Sequence, residues 1–100
     1  MILHSVFFYL NDNAAIDTAG NMKKEILSDL ANIDTVRDIW AGPPEGIERD
    51  VVDNDYAMSL HALFEDKEAL QSYQTDEVHV AFVDKYKSFF ERIRVFDTRV

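Results

Sequence analysis

An α+β fold ordered β-α-β-β-α-β follows from three observations on this sequence. Four short runs rich in Val, Ile, Phe and Tyr are too short for lone helices and read as strands. Longer segments between them repeat apolar residues at helical spacing. Turn-forming clusters, Asn11-Asp12-Asn13 and Gly42-Pro43-Pro44 among them, separate the elements.

The first strand covers Leu3 to Leu10. With side chains alternating, His4, Val6, Phe8 and Leu10 point one way and Ser5, Phe7 and Tyr9 the other, so both faces are largely apolar. After the polar turn, Ile16, Ala19, Met22, Ile26, Leu27, Leu30 and Ile33 recur at i, i+3, i+4 intervals. They predict an amphipathic helix with Lys23, Lys24, Glu25 and Asp29 mainly outside. Val36 to Ala41 reads as a second short strand, stopped by Gly42-Pro43-Pro44. From there to Asp55 the chain is a polar, acidic loop. Tyr56 to Phe64 predicts the third strand, in which Tyr56, Met58, Leu60, Ala62 and Phe64 alternate with Ala57, Ser59, His61 and Leu63.

Asp66 caps a helix from near Lys67, with Ala69, Leu70 and Tyr73 inward. Thr75-Asp76 followed by Glu77 reads as a fresh N-cap, so a kink there precedes a further helical stretch. In that stretch Val78, Phe82, Tyr86 and Phe89 form one stripe, and His79, Val83, Tyr86 and Phe90 the next. Arg92 to Thr98 is the last strand, with Ile93, Val95 and Asp97 on one side and Arg94 and Phe96 on the other.

This order is the ferredoxin-like plan, one antiparallel sheet with its helices on one face. The plan leaves the second sheet face bare, yet strands one and three are apolar on both sides. A patch of that size is rarely left in water, so a second copy packed face to face is the expected cover. A charged residue at Phe8 or Leu60 is expected to block that pairing.

Composition narrows the function. A chain of 100 residues with 47% hydrophobic side chains and no Pro/Gly-rich linker suits a single domain spanning residues 1–100. Ten Lys and Arg against nineteen Asp and Glu give a net charge of −9, which repels nucleic acid and anionic membrane surfaces. There is no cysteine, so disulfides and thiolate chemistry are excluded. No secretory leader or transmembrane run is visible, and the expected compartment is the cytoplasm. His4, His61 and His79 are far apart and show no metal-ligand spacing, so neither metal nor cofactor is expected.

The residues with chemical potential are His79 and Tyr73, which a kink near Thr75 would bring to one cavity. An imidazole on an apolar wall can take a proton near neutral pH, and a phenol can stabilise the resulting enolate. The competing reading has His79 bonded to a backbone carbonyl and Tyr73 merely packed. For His4, the competing reading is a cap on a strand edge.

A family resemblance rests on His4-Ser5-Val6-Phe7-Phe8, Trp40-Ala41-Gly42, the Tyr56-to-Phe64 strand with Glu65-Asp66, Tyr73 through His79-Val80-Ala81-Phe82, and Arg94-Val95-Phe96-Asp97. Together, and over nearly the whole chain, these resemble the stress-responsive A/B barrel (Dabb) family. The resemblance implies a dimeric α/β barrel. Plant polyketide cyclases of that family use a histidine and a tyrosine at positions that fall on His79 and Tyr73. Their apolar tunnel would be lined here by His4, Val6, Phe8, Met22, Ile26, Met58 and Leu60, with Asp97 near the last strand. The chain differs from the family pattern in carrying Asp76-Glu77 where His-Pro is common, and Met58 where a strand histidine is common.

Three functions fit these observations. The first is a homodimer holding a small aromatic or polyketide-like molecule in an apolar pocket. The second is a cofactor-free cyclase, isomerase or mono-oxygenase with His79 as base and Tyr73 as hydrogen-bond donor. The third is a structural dimerisation module. An open cavity beside a titrating His79 favours the second, a cavity with an inert histidine the first, and no cavity the third.

Overall fold

The computed structural model describes residues 1–100. Its elements run β1 (Ile2–Leu10), α1 (Thr18–Ser28), β2 (Asp38–Gly42), β3 (Met58–Phe64), α2 (Lys67–Thr75), α3 (Glu77–Tyr86) and β4 (Phe90–Arg99), with single 3-10 turns at Leu30–Asn32 and Lys87–Phe89. The strands form one antiparallel sheet in the order β2-β3-β1-β4. This is the ferredoxin-like arrangement.

The inward stripe of β1 and β3 supplies half the core. Val6, Phe8, Met58, Leu60, Ala62 and Phe64 are buried against Met22 and Ile26 of α1 and against Tyr73, Phe82 and Tyr86 of α2 and α3. Phe8 and Leu60 therefore belong to the helix side of the sheet, not to a pairing face, which corrects the expectation placed on them. Alternation had already separated them from Phe7 and Tyr9; only the assignment of the open face was reversed.

Several boundaries differ from the periodic reading, and the last strand starts at Phe90, which the helical spacing had placed on α3, instead of Arg92. Ile16 is fully exposed ahead of α1, because the turns through Ala15 delay the helix until the buried Thr18. Leu27 flanks the helix stripe and stays half exposed, while Leu30 and Ile33 reach the core from beyond the helix end. β2 starts at Asp38, and Val36 packs on the core ahead of it. Tyr56 lies outside β3, and its ring meets Phe7 at 5.0 Å and Tyr9 at 6.4 Å on the face opposite Met58. Alternation predicts a face only within the paired ladder, and that ladder begins with Phe8 opposite Met58.

The outer sheet face is aromatic. Phe7 stands at its centre, with Tyr56 at 5.0 Å, His61 at 5.7 Å and Phe96 at 6.0 Å, all edge to face. Trp40 shares the face opposite His61, and it and Phe96 are each 49% exposed. The end of the acidic loop is fastened to the same face. The Tyr9 hydroxyl donates to Asp53 at 2.8 Å, and the Arg92 guanidinium lies over the Tyr9 ring at 4.2 Å. The Asp55 N–H and then the Tyr9 hydroxyl hold the Asp53 carboxyl below the usual carboxylate range.

Candidate functional site

The break between α2 and α3 builds the site. In an unbroken helix two residues six apart would sit about 240° around the axis from each other. Asp76 interrupts the helix with extended backbone, φ −63° and ψ 140°. Its side chain accepts from the Val78 N–H at 2.8 Å, and its own N–H donates to the Tyr73 carbonyl at 3.2 Å. With that turn in place, the Tyr73 and His79 rings meet at 4.6 Å between centroids. Asp76→Ala is expected to cost about 1 kcal/mol of stability in a urea titration, and to loosen this pair.

Between α2–α3 and the β1–β4 half of the sheet lies a cavity of about 180 Å³. Its walls are His4, Val6 and Phe8 of β1, Ile93 and Val95 of β4, and Tyr73, Gln74, His79, Phe82 and Val83 from the helical side. Wider grooves of about 480 and 660 Å³ are open surface features walled mostly by polar and charged groups. No three His, Asp or Glu side chains converge as metal ligands.

Hydrogen bonding sets the tautomers of both histidines. A carbonyl can only accept, so His79 Nδ1–H donates to the Gln74 carbonyl at 3.0 Å. In the neutral ring Nε2 then keeps a lone pair, and no protein donor meets it. His4 Nδ1 donates to Asp97 Oδ1 at 2.6 Å, which likewise leaves its Nε2 without a protein partner. Burial lowers the proton affinity of His79, helped by the neighbouring His4, against the opposing pull of the Gln74 carbonyl and Asp76. Burial also pushes the Tyr73 phenol well above its ordinary value, so it remains a protonated donor.

The structure sorts the expected site residues into two groups. His4, Val6 and Phe8 join Tyr73 and His79 on the cavity wall, and Asp97 stands behind His4 with its side chain 44% exposed. Met22, Ile26, Met58 and Leu60 do not reach the cavity: α1 packs directly over the β2–β3 half of the sheet and seals them in the core. The space opens only where α2–α3 stands off from β1 and β4. His4 is no edge cap either, since β1 is an inner strand and His4 pairs with Ala62 on one side and Asp97 on the other. The first half of the competing reading of His79 holds, since the ring bonds a backbone carbonyl, while its other nitrogen has no protein partner.

Gln74, Phe82, Val83, Ile93 and Val95 were not singled out as site residues from sequence, although Val83 stood on the same helical stripe as His79. The parity of β4 put Ile93 and Val95 beside Asp97, which is a usable signal for them. The Gln74 carbonyl leaves no trace in side-chain pattern.

The sequence profile of the stress responsive A/B barrel domain matches residues 2–100. The chain belongs to the stress-responsive A/B barrel family. Its fold is that of the Arabidopsis thaliana protein At3g17210, at 19% identity and TM-score 0.83, with 100% of this chain and 95% of that one covered. A dimeric ferredoxin-like protein of unknown function from Thermobifida fusca superposes at TM-score 0.84 and 16% identity, covering 99% and 90% of the two chains. A hydroxynitrile lyase from Passiflora edulis shares the fold at TM-score 0.80 and 11% identity, covering 99% and 92%. No curated protein matches the sequence.

In this stress-responsive A/B barrel the site combines an acceptor and a donor on an apolar wall. Nε2 of His79 can take a proton from a bound molecule, and the Tyr73 O–H can bond an oxygen that gains charge. The His4 ring is a second acceptor, held in place by Asp97.

Proposed function

We propose that the chain works in the cytoplasm as a homodimer that holds a small carbonyl-bearing molecule, a single aromatic ring or a short polyketide-like chain, in the cavity beside His79. The observation that carries this reading is a cavity of apolar walls containing three polar groups with no protein partner: the Tyr73 hydroxyl and Nε2 of His4 and His79. Each of the three opens onto the cavity, so a ligand that meets one gains a hydrogen bond worth about 0.5–1.5 kcal/mol. Size narrows the class, because an apolar cavity of roughly 150 Å³ accommodates benzene. A space of about 180 Å³ fits one ring or a chain of similar bulk.

The dimer is supported by the aromatic outer face and by the T. fusca protein of the same fold, which is described as dimeric. Because that face and the cavity lie on opposite sides of the sheet, the two properties are separable by mutation. A third possibility, a purely structural module, has no use for the cavity.

Catalysis on the same site is favoured by the tautomer of His79. With Nδ1–H committed to Gln74, Nε2 is available as a base. It removes a proton α to the ligand carbonyl, the electron pair moves onto the carbonyl oxygen, and the Tyr73 O–H stabilises the enolate until the proton returns or a new C–C bond forms. The P. edulis lyase shows that this fold hosts an enzyme. The test is NMR-detected exchange of α-protons with deuterium in small aryl ketones, alongside crystals soaked with the same compounds. Exchange that depends on His79, with the ring seated against Tyr73, supports the enzyme. Binding without exchange leaves the carrier, and the absence of both exchange and ligand density removes both readings.

A further inference from the structure

We infer that His61 makes the pairing of two copies acid-labile: neutral, it closes a hydrogen-bond chain at the centre of the pairing face, and protonated, it puts an uncompensated charge there. This rests on the homodimer proposed above.

His61 lies on β3, an inner strand, opposite Trp40 on one side and Ser5 on the other. Any stacking that covers most of the outer face covers it. Ser59 Oγ donates to the Gly42 carbonyl at 2.9 Å, which leaves its oxygen as acceptor for the His61 Nε2–H at 3.3 Å. Nδ1 then carries the lone pair and accepts from the Ser5 hydroxyl at 2.9 Å. The neutral ring thus satisfies each partner, and the network selects one tautomer. A proton on Nδ1 forces Ser5 to turn its hydrogen away and leaves a cation with no carboxylate in contact.

The surroundings offer no relief from their own charges. From β1, Ser5 and Phe7 face the ring, and from β2, Trp40. From β4 the outer face presents Arg92 and Arg94, both cations, lying over the Tyr9 and Phe96 rings. None of the face's carboxylates touches the ring: Asp38 accepts from the Ile39 N–H, Glu65 binds Arg37 at 2.6 Å, Asp53 is held by Tyr9, and Asp55 and Glu91 lie at the Tyr9–Arg92 end. A second copy brings the same set.

The sign follows. Burial already lowers the proton affinity of His61 in one copy, and a covering sheet acts in the same direction. Single copies therefore bind protons more readily than the dimer, and acid favours dissociation. The dimer weakens as pH falls through the single-copy value and levels off below the dimer's value. With one such histidine per copy, Kd rises at most about a hundredfold per pH unit.

Sedimentation velocity over a dilution series at about pH 8 and about pH 5.5 tests this, with far-UV circular dichroism to confirm folding. The expected result is a Kd at least about tenfold higher at the lower pH for the wild type, and a flat response for His61→Gln. His79→Gln, on the other side of the sheet, should respond like the wild type. A wild-type Kd that stays constant, or a His61→Gln protein that responds as strongly, overturns the inference and leaves the dimer standing. A monomer at about pH 8 removes the dimer and the inference together. Should His61→Gln fail to pair, NMR titration of the His61 ring in the wild-type protein, concentrated to the dimer and diluted to the monomer, decides: equal values overturn it, a lower value in the dimer upholds it.

Discussion

His79→Gln is expected to slow α-proton exchange of a bound aryl ketone by a factor of roughly 10² to 10⁴, the usual worth of a positioned general base, with the fold intact. His79 is only part-buried and its protein bond is one contact to a carbonyl, so its loss removes little packing. Tyr73→Phe should keep ligand binding and lower the rate, because the wall survives and the donor does not. The pH profile provides an internal check. His79 acts as a base only when neutral, and burial moves its titration below 6.5. The rate should therefore be level at neutral pH and fall only on the acid side of 6.5. Stability has the same sign: the unfolded chain takes up the proton first, so the contribution of this group is complete above 6.5 and is lost as pH drops through the lower folded value. A rate that declined from well above that point would assign the base elsewhere.

Leu60→Asp and Phe7→Arg should fail in opposite ways. Leu60 is 2% exposed in the core, and an unpaired carboxylate there costs several kcal/mol, a large part of the 5–15 kcal/mol that typically holds a domain together. That variant is expected to lose its cooperative thermal transition. Phe7 is only partly buried, at the centre of the outer face, and an arginine there can extend into water while blocking sheet stacking. Phe7→Arg is expected to sediment as a folded monomer that still binds small ketones. A folded dimer carrying Phe7→Arg would place the pairing surface elsewhere.

The fold was legible because its signals are local. Apolar spacing in α1, alternation in β1 and β3, and the Thr75-Asp76-Glu77 cap each act within a few residues. The cap even foretold that Tyr73 and His79 meet. What remained hidden depends on register between distant segments. His4 and Asp97 are 93 residues apart, and only the β1–β4 ladder makes them neighbours. Met22, Ile26, Met58 and Leu60 are apolar and point to the right side, but which half of that side α1 seals is decided by helix placement over the sheet. Tyr56 shows the other limit: with no ladder partner, its face was set by the loop that delivers it.

Consecutive residues of β1 serve two different surfaces. His4, Val6 and Phe8 border the cavity, while Ser5, Phe7 and Tyr9 belong to the opposite surface. Point changes can therefore tune ligand preference and self-recognition independently. Insertion or deletion of one residue cannot, since it exchanges the two sets at once. Over evolutionary time this strand should diverge by substitution while keeping its length, and gaps should collect in the Gly42-to-Asp55 connection, where no such bookkeeping of parity applies.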